Sequence, residues 1–239
     1  AGWADDKGNF ESPHSPTGPL PKEWARFIGM NMNGNHVVLA HTAPGGGRVL
    51  DHPWAIPTRD SSVILRQVAA TAPKTELKCL AAELPSHGRI EVVDGTTVAT
   101  SSDGKSVSAV LFTGRCSLGL EGGTRVVVTL PVAESPYQFR LGFWTGPAGG
   151  LAEAIKAFQG WQPRDLDDLR RPGPIRWNKK IETDLQTGLV EGSFVLDTFQ
   201  LPYENPWNAL FFVSGVDFLP DGRVVICTAH GDVWTCREA

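Results

Sequence analysis

Between residues 26 and 160 the apolar positions come in short runs, each closed by a turn signal. Phe27-Ile28-Gly29-Met30-Asn31-Met32 runs into Asn33-Gly34, a strong hairpin signal, and Val37-Val38-Leu39-Ala40 leaves it. Val49-Leu50, Val63-Ile64-Leu65, Leu77-Lys78-Cys79-Leu80 and Ile90-Glu91-Val92-Val93 follow in the same style. Val107 to Phe112, Val126 to Leu130 and Phe139 to Trp144 continue it, with Asp94-Gly95, Asp103-Gly104 and Gly122-Gly123 as turns. Only Leu151 to Phe158 has helical spacing, placing Leu151, Ile155 and Phe158 on one face. Many short strands with Gly-rich turns and almost no helix predict a mostly β chain, with an antiparallel β-sandwich over residues 26–160.

The flanking segments read differently. Residues 1–25 hold Pro13, Pro16, Pro19 and Pro21, which predicts an extended arm pinned to the sheet by Trp24. Residues 161–192 concentrate charge, Gly and Pro, including Pro172-Gly173-Pro174, and read as a linker. Phe194 to Phe199 then opens a second unit over residues 193–239. There Pro220-Asp221-Gly222 and Ala229-His230-Gly231-Asp232 turn the chain between three β-rich runs ending at Cys236. Three strands and two tight turns match the first blade of a β-propeller, so the chain reads as a piece of something larger. Its start at Ala1, without an initiator Met or signal peptide, reads as processed, trimmed or recombinant.

Composition narrows the partners. A net charge of −4, with no Lys/Arg cluster beyond a pair, argues against nucleic acid. No apolar run reaches the roughly 18 residues of a membrane span. The four Cys residues suit an oxidising compartment without requiring one. A two-residue loop at Gly231-Asp232 would set Cys227 opposite Cys236 as a disulfide, whereas a four-residue loop would pair Cys227 with Trp234. Cys79 and Cys116 either staple the sandwich or lie buried as thiols.

Candidate chemistry is sparse. Cys227, His230 and Cys236 have no trustworthy zinc spacing, and Gly45-Gly46-Gly47 lacks the Lys-Ser/Thr of a phosphate loop. No nucleophile elbow is present, and Asp165, Asp167 and Asp168 read as one solvated acidic run. His36 and His41, five residues apart, face opposite sides of a strand, which counts against a shared metal. The expected ligand contacts are His230, Asp217, Asp232 and Trp207, because loops at strand ends commonly carry binding residues. Eight Trp against two Tyr raise a second reading, a free-standing carbohydrate- or protein-binding sandwich that uses exposed Trp. A hydrolase is a third.

Two stretches resemble known sequences. Gly215-Val216-Asp217-Phe218-Leu219-Pro220-Asp221-Gly222-Arg223, followed by Val224-Val225-Ile226-Cys227-Thr228, resembles the opening strand pair of glucose/sorbosone-dehydrogenase-like β-propellers. Gly18-Pro19-Leu20-Pro21-Lys22-Glu23-Trp24-Ala25, with Gly29 to Leu39, resembles an uncharacterised β domain. That domain precedes such propellers in large secreted bacterial proteins, often with c-type cytochrome modules. The resemblance implies a periplasmic or extracellular protein of sugar or polysaccharide metabolism. It implies a non-catalytic structural and recognition role for this chain, with the rest of the parent polypeptide or a second chain completing the propeller. No cofactor is expected in this chain, and quinone or haem would belong to the parent. Where the dehydrogenases carry Thr-Glu-Arg, this chain has Thr228-Ala229-His230.

Overall fold

The computed structural model describes residues 2–5, 7–11, 24–175, 177–190 and 192–237. It divides into two compact units, Ala1–Pro174 and Ile175–Ala239. The prolines of the expected N-terminal arm lie outside the described residues.

The first unit is a β-sandwich. Its strands are β1 (Gly2–Trp3), β2 (Phe27–Asn33), β3 (His36–Thr42), β4 (Arg48–Pro57), β5 (Ser62–Ala70) and β6 (Leu77–Glu83). They continue as β7 (Arg89–Val93), β8 (Thr96–Ser102), β9 (Val107–Gly114), β10 (Ser117–Glu121), β11 (Arg125–Leu130) and β12 (Tyr137–Gly146). Eight strands form one sheet in the order β2-β3-β4-β5-β12-β9-β8-β7, and four form the other, β1-β6-β11-β10. Neighbours in both sheets are antiparallel.

Turn chemistry fixes several of these pairings. Val93 faces Thr96, so Asp94 and Gly95 alone close the β7–β8 hairpin, at φ 47° and 80°. Positive φ at both central residues marks the turn whose twist matches the flanking strands. At the first hairpin Asn33 faces His36, so the loop is Gly34-Asn35 rather than Asn33-Gly34, with Gly34 at φ 59°.

Strand alternation gives the eight-stranded sheet two working faces. Its inner face meets the smaller sheet through Val49, Val68, Val110, Phe112, Phe139 and Leu141, packed with Leu77, Val126, Val128 and Leu130. Cys79 and Cys116 are buried in this core as thiols, and burial pushes both up to about 11. On the outer face Val63, Leu65, Val98, Leu111 and Trp144 pack under α1 (Leu151–Gly160) through Ala154, Ile155 and Phe158. Further along that face, Val38, Ala40 and Leu50 pack with Leu166 of α2 (Leu166–Leu169).

The start of the expected linker is therefore part of the sandwich. Residues 161–165 cross the outer face between the two helices, strapped by polar side chains from the sheet. Gln67 donates to Arg164 O (2.6 Å) and accepts from Arg164 N (3.0 Å), so one amide satisfies both backbone groups. Arg140 donates to Trp161 O at 2.6 Å. The acidic run is a helix start: Asp165 Oδ1 accepts from Asp167 N (2.9 Å) and Asp168 N (3.3 Å). Asp167 and Asp168 pair with Arg170 and Arg171 one turn on. Leu166, buried between those charges, explains why the segment docks and does not hang free.

The second unit holds two small antiparallel sheets. One is the hairpin β13 (Leu185–Gln186) and β14 (Thr198–Phe199). The other has the order β15-β16-β17, from β15 (Val213–Phe218), β16 (Val224–Thr228) and β17 (Val233–Cys236). The expected strand from Phe194 contributes only β14, and it pairs outside the three-stranded sheet. No helix among the described residues is long and apolar enough to cross a membrane.

Candidate functional site

The three-stranded sheet is built by two turns of one kind. Leu219 N donates to Arg223 O (2.8 Å) and Gly222 N to Leu219 O (2.9 Å), with Gly222 at φ 84°. Thr228 N donates to Asp232 O (2.9 Å) and Gly231 N to Thr228 O (3.0 Å), with Gly231 at φ 88°. Each is a three-residue loop ending in a glycine bulge. Before the sheet, Asn205 ties a loop on itself. Its amide donates to Pro202 O and Ala209 O, and its carbonyl accepts from Trp207 N and Ala209 N.

That loop delivers Trp207 into an aromatic cluster. Trp177, Trp207 and Trp234 have mutual centroid distances of 5.4, 5.9 and 6.2 Å, and Phe211 lies 4.6 Å from Trp234. Val224 and Ile226 are buried on the face that Trp234 shares through its pairing with Ile226. Trp207 is thus a core residue of this unit. Of the eight tryptophans, Trp144 is buried and the other seven are half-buried.

The other expected contacts do not converge. His230 is exposed in the turn between β16 and β17. Asp217 pairs with Val225, at the opposite end of the sheet, and its carboxylate accepts from Phe218 N at 2.8 Å. Asp232 holds the His230 turn, its backbone N donating to Thr228 Oγ1 at 3.2 Å. Cys227 and Cys236 are free thiols. The bulged loop pairs Cys227 with Val233 and Cys236 with Val224, so the two thiols point to opposite faces of the sheet. The disulfide expected from a two-residue loop has no geometry here.

The first unit gathers histidines that spacing alone did not connect. His36 and His41 do face opposite sides. His36 Nδ1 lies 3.1 Å from Nε2 of the fully buried His52, and both rings stack on Trp54, at 4.5 and 5.9 Å. His41, on the inner face, accepts from Trp3 Nε1 at 3.1 Å. Burial, then the neighbouring His36, hold His52 below its ordinary value. Among the described residues no group of three His, Cys, Asp or Glu is placed to hold a metal ion.

A family model described as a domain of unknown function, DUF6797, matches residues 1–51. Nothing among the curated proteins or the solved structures compared with this chain matches it. The DUF6797-like stretch runs from β1 into β4 and holds Trp3, His36 and His41, with His52 just beyond it. It spans the edge of the eight-stranded sheet and one strand of the smaller one, so the similarity bears on the sandwich and not on the three-stranded sheet.

Proposed function

We propose that this chain is the structural and recognition portion of a secreted, sugar-dehydrogenase-like protein, and that its three-stranded sheet opens a β-propeller completed by further β-structure. The completing strands would come from the same polypeptide or a second one. One observation carries the reading: large apolar side chains stand exposed on both faces of the sheet, on one of them beside the buried Val224 and Ile226. Val216 (59% exposed) and Phe218 (68%) stand on the face shared with Val224 and Ile226, and Val233 (65%) stands on the other. A sheet at the surface of a finished domain has one wet, polar face. Exposed apolar side chains on both faces suit a sheet stacked between neighbours, which is the arrangement in a propeller.

Hydrogen-bond phase favours one edge for extension. Because Leu219 N bonds Arg223 O, alternation turns the Val216 and Phe218 N–H groups of β15 outward. Asp217 already occupies the Phe218 N–H, a device that blunts an edge. On β17, the bond from Thr228 N to Asp232 O leaves Val233 and Thr235 facing outward. A fourth strand therefore adds at β17.

The test is sedimentation velocity with an apolar dye titration on the chain and on Phe218→Lys/Val233→Lys. The reading expects concentration-dependent self-association and dye binding, both lost in the double variant with its β content unchanged. A monomer that binds no dye at any concentration overturns it.

A further inference from the structure

Beside the strap, the outer face of the eight-stranded sheet carries a row of polar side chains. His52 faces Gln67, Gln67 faces Arg140, and Arg140 faces Thr113 across four neighbouring strands. Gln67 is accounted for by Arg164, and His52 Nε2 by His36, while the buried His52 Nδ1 has no partner among the described residues. Arg140 is only partly satisfied. Its Nε donates to Thr113 Oγ1 (3.1 Å), its Nη1 donates to Trp161 O (2.6 Å), and the Phe158 ring lies 5.2 Å from the guanidinium carbon. A guanidinium has five N–H donors, and these contacts leave both on Nη2 without an assigned acceptor.

No carboxylate among the described residues pairs with Arg140, whereas the more enclosed Arg66 has Asp51. Burial alone acts on the Arg140 guanidinium, and it disfavours the charge. Beside this cation lies an open cavity of about 200 Å³ lined by Gln67, Thr113, Gly114, Gln138, Phe139, Arg140 and Pro163. Gln138 has an amide to donate and Pro163 supplies an apolar wall, while Gly114 and Phe139 line the cavity with backbone, the Phe139 ring being buried on the inner face. A held guanidinium with a neighbouring amide donor is the chemistry that recognises a planar carboxylate.

We propose that this cavity is a binding site for a single carboxylate group, gripped by Arg140 and Gln138. One uncompensated positive charge matches a monoanion, and a phosphate dianion would carry negative charge the site does not balance. The volume is smaller than that of a typical metabolite pocket, so it holds the head group while the body of the ligand lies outside. This inference is independent of the propeller reading, because every residue in it belongs to the sandwich.

The experiment is a titration of the full chain with acetate at constant ionic strength, with chloride, sulfate and phosphate as parallel arms. Arginine Nε–H and glutamine side-chain NMR signals report on the site. Acetate is expected to shift the Arg140 and Gln138 signals to saturation, while the other anions shift them weakly and without saturating. Gln138→Glu places a carboxylate inside the cavity, and acetate affinity should fall on the order of tenfold or more with the fold intact. This variant tests the site even if Arg140→Gln loosens the strap. Saturation by sulfate or phosphate at lower concentration than acetate overturns the assignment. So does an acetate response that survives in Gln138→Glu, or equal weak shifts with all four anions.

Discussion

Gly142 offers the sharpest test of how α1 sits on the sandwich. It lies in β12 between Leu65 and Leu111, on the outer face under the helix. A Cβ there would come within 2.8 Å of Phe158 Cδ2, 3.0 Å of Val63 Cγ1 and 3.1 Å of Phe158 Cε2. Phe158 is fully buried, so its ring cannot swing away cheaply. Overpacking of this kind costs about 1–3 kcal/mol, offset by roughly 0.5–1 kcal/mol from removing a strand glycine. Gly142→Ala alone should therefore destabilise by about 1–2 kcal/mol. Phe158→Ala should cost about 3–5 kcal/mol. Combined, the added methyl loses both close contacts with the Phe158 ring, keeps the one with Val63, and recovers about 0.8 kcal/mol of burial. The two changes should then couple favourably by about 2–3 kcal/mol. Removal of the Arg140–Phe158 contact enters both arms of the cycle and cancels. The assay is urea-dependent labelling of Cys79 and Cys116, read by peptide mass, because both thiols lie in the sandwich core and report on that unit alone. Additivity within about 0.5 kcal/mol would show that the helix does not rest on Gly142 as described.

Other outcomes follow from the same contacts. At pH 8 in the folded protein, Cys227 should alkylate quickly and Cys236 more slowly, while Cys79 and Cys116, held near 11 and buried, stay unmodified; rapid loss of all four thiols would contradict the buried core. Mild oxidation of the monomer should form no Cys227–Cys236 bridge, checked by non-reducing peptide mapping. Asp51→Asn should strand the Arg66 guanidinium at a cost of about 3 kcal/mol, the low end for a broken buried pair because Arg66 keeps some exposure, and Arg66→Met in the same chain should restore most of it. His52 and His41 both bind protons less readily folded than unfolded, so the unfolded state takes up more protons near their ordinary value of 6.5. Stability of the sandwich should hold above that pH and fall as pH drops below it, with a shallower fall in His52→Gln.

The parts legible in the sequence are those fixed locally. Val107 to Phe112, Val126 to Leu130 and the helix from Leu151 each carry a pattern that needs no distant partner, and each lies within an element of that type. Besides the two-residue β1 and β13, the strands missed are β8 and β10. In β8, Thr96, Thr97, Thr100, Ser101 and Ser102 look like loop residues, yet Thr96, Thr100 and Ser101 are buried where β8 lies between β7 and β9. In β10, Gly119 interrupts the strand pattern, and pairing with β11 supplies what propensity withholds. Strand order was illegible for another reason. The β5–β12 and β6–β11 pairings join residues far apart in sequence, and no turn specifies them. The polar row His52-Gln67-Arg140-Thr113 exists only because those strands are adjacent, so the cavity at Arg140 could not be read from any one motif.

The two cysteine outcomes show how fine the controlling detail is. The loop is Ala229-His230-Gly231 and not Gly231-Asp232, which slides β17 three residues along β16 and moves Cys227 from opposite Cys236 to opposite Val233. An odd change in register turns every side chain of a strand to the other face. The bulged loop thus sends Cys236 toward the face of Val224 and Ile226 and leaves Cys227 exposed beside Val233. It also puts Trp234 opposite Ile226, where it meets Trp207 and Phe211. A two-residue loop would have brought the thiols together and turned Trp234 away from that cluster. Gly231 at φ 88° permits the bulge, and with it the only aromatic core that the second unit has among its described residues.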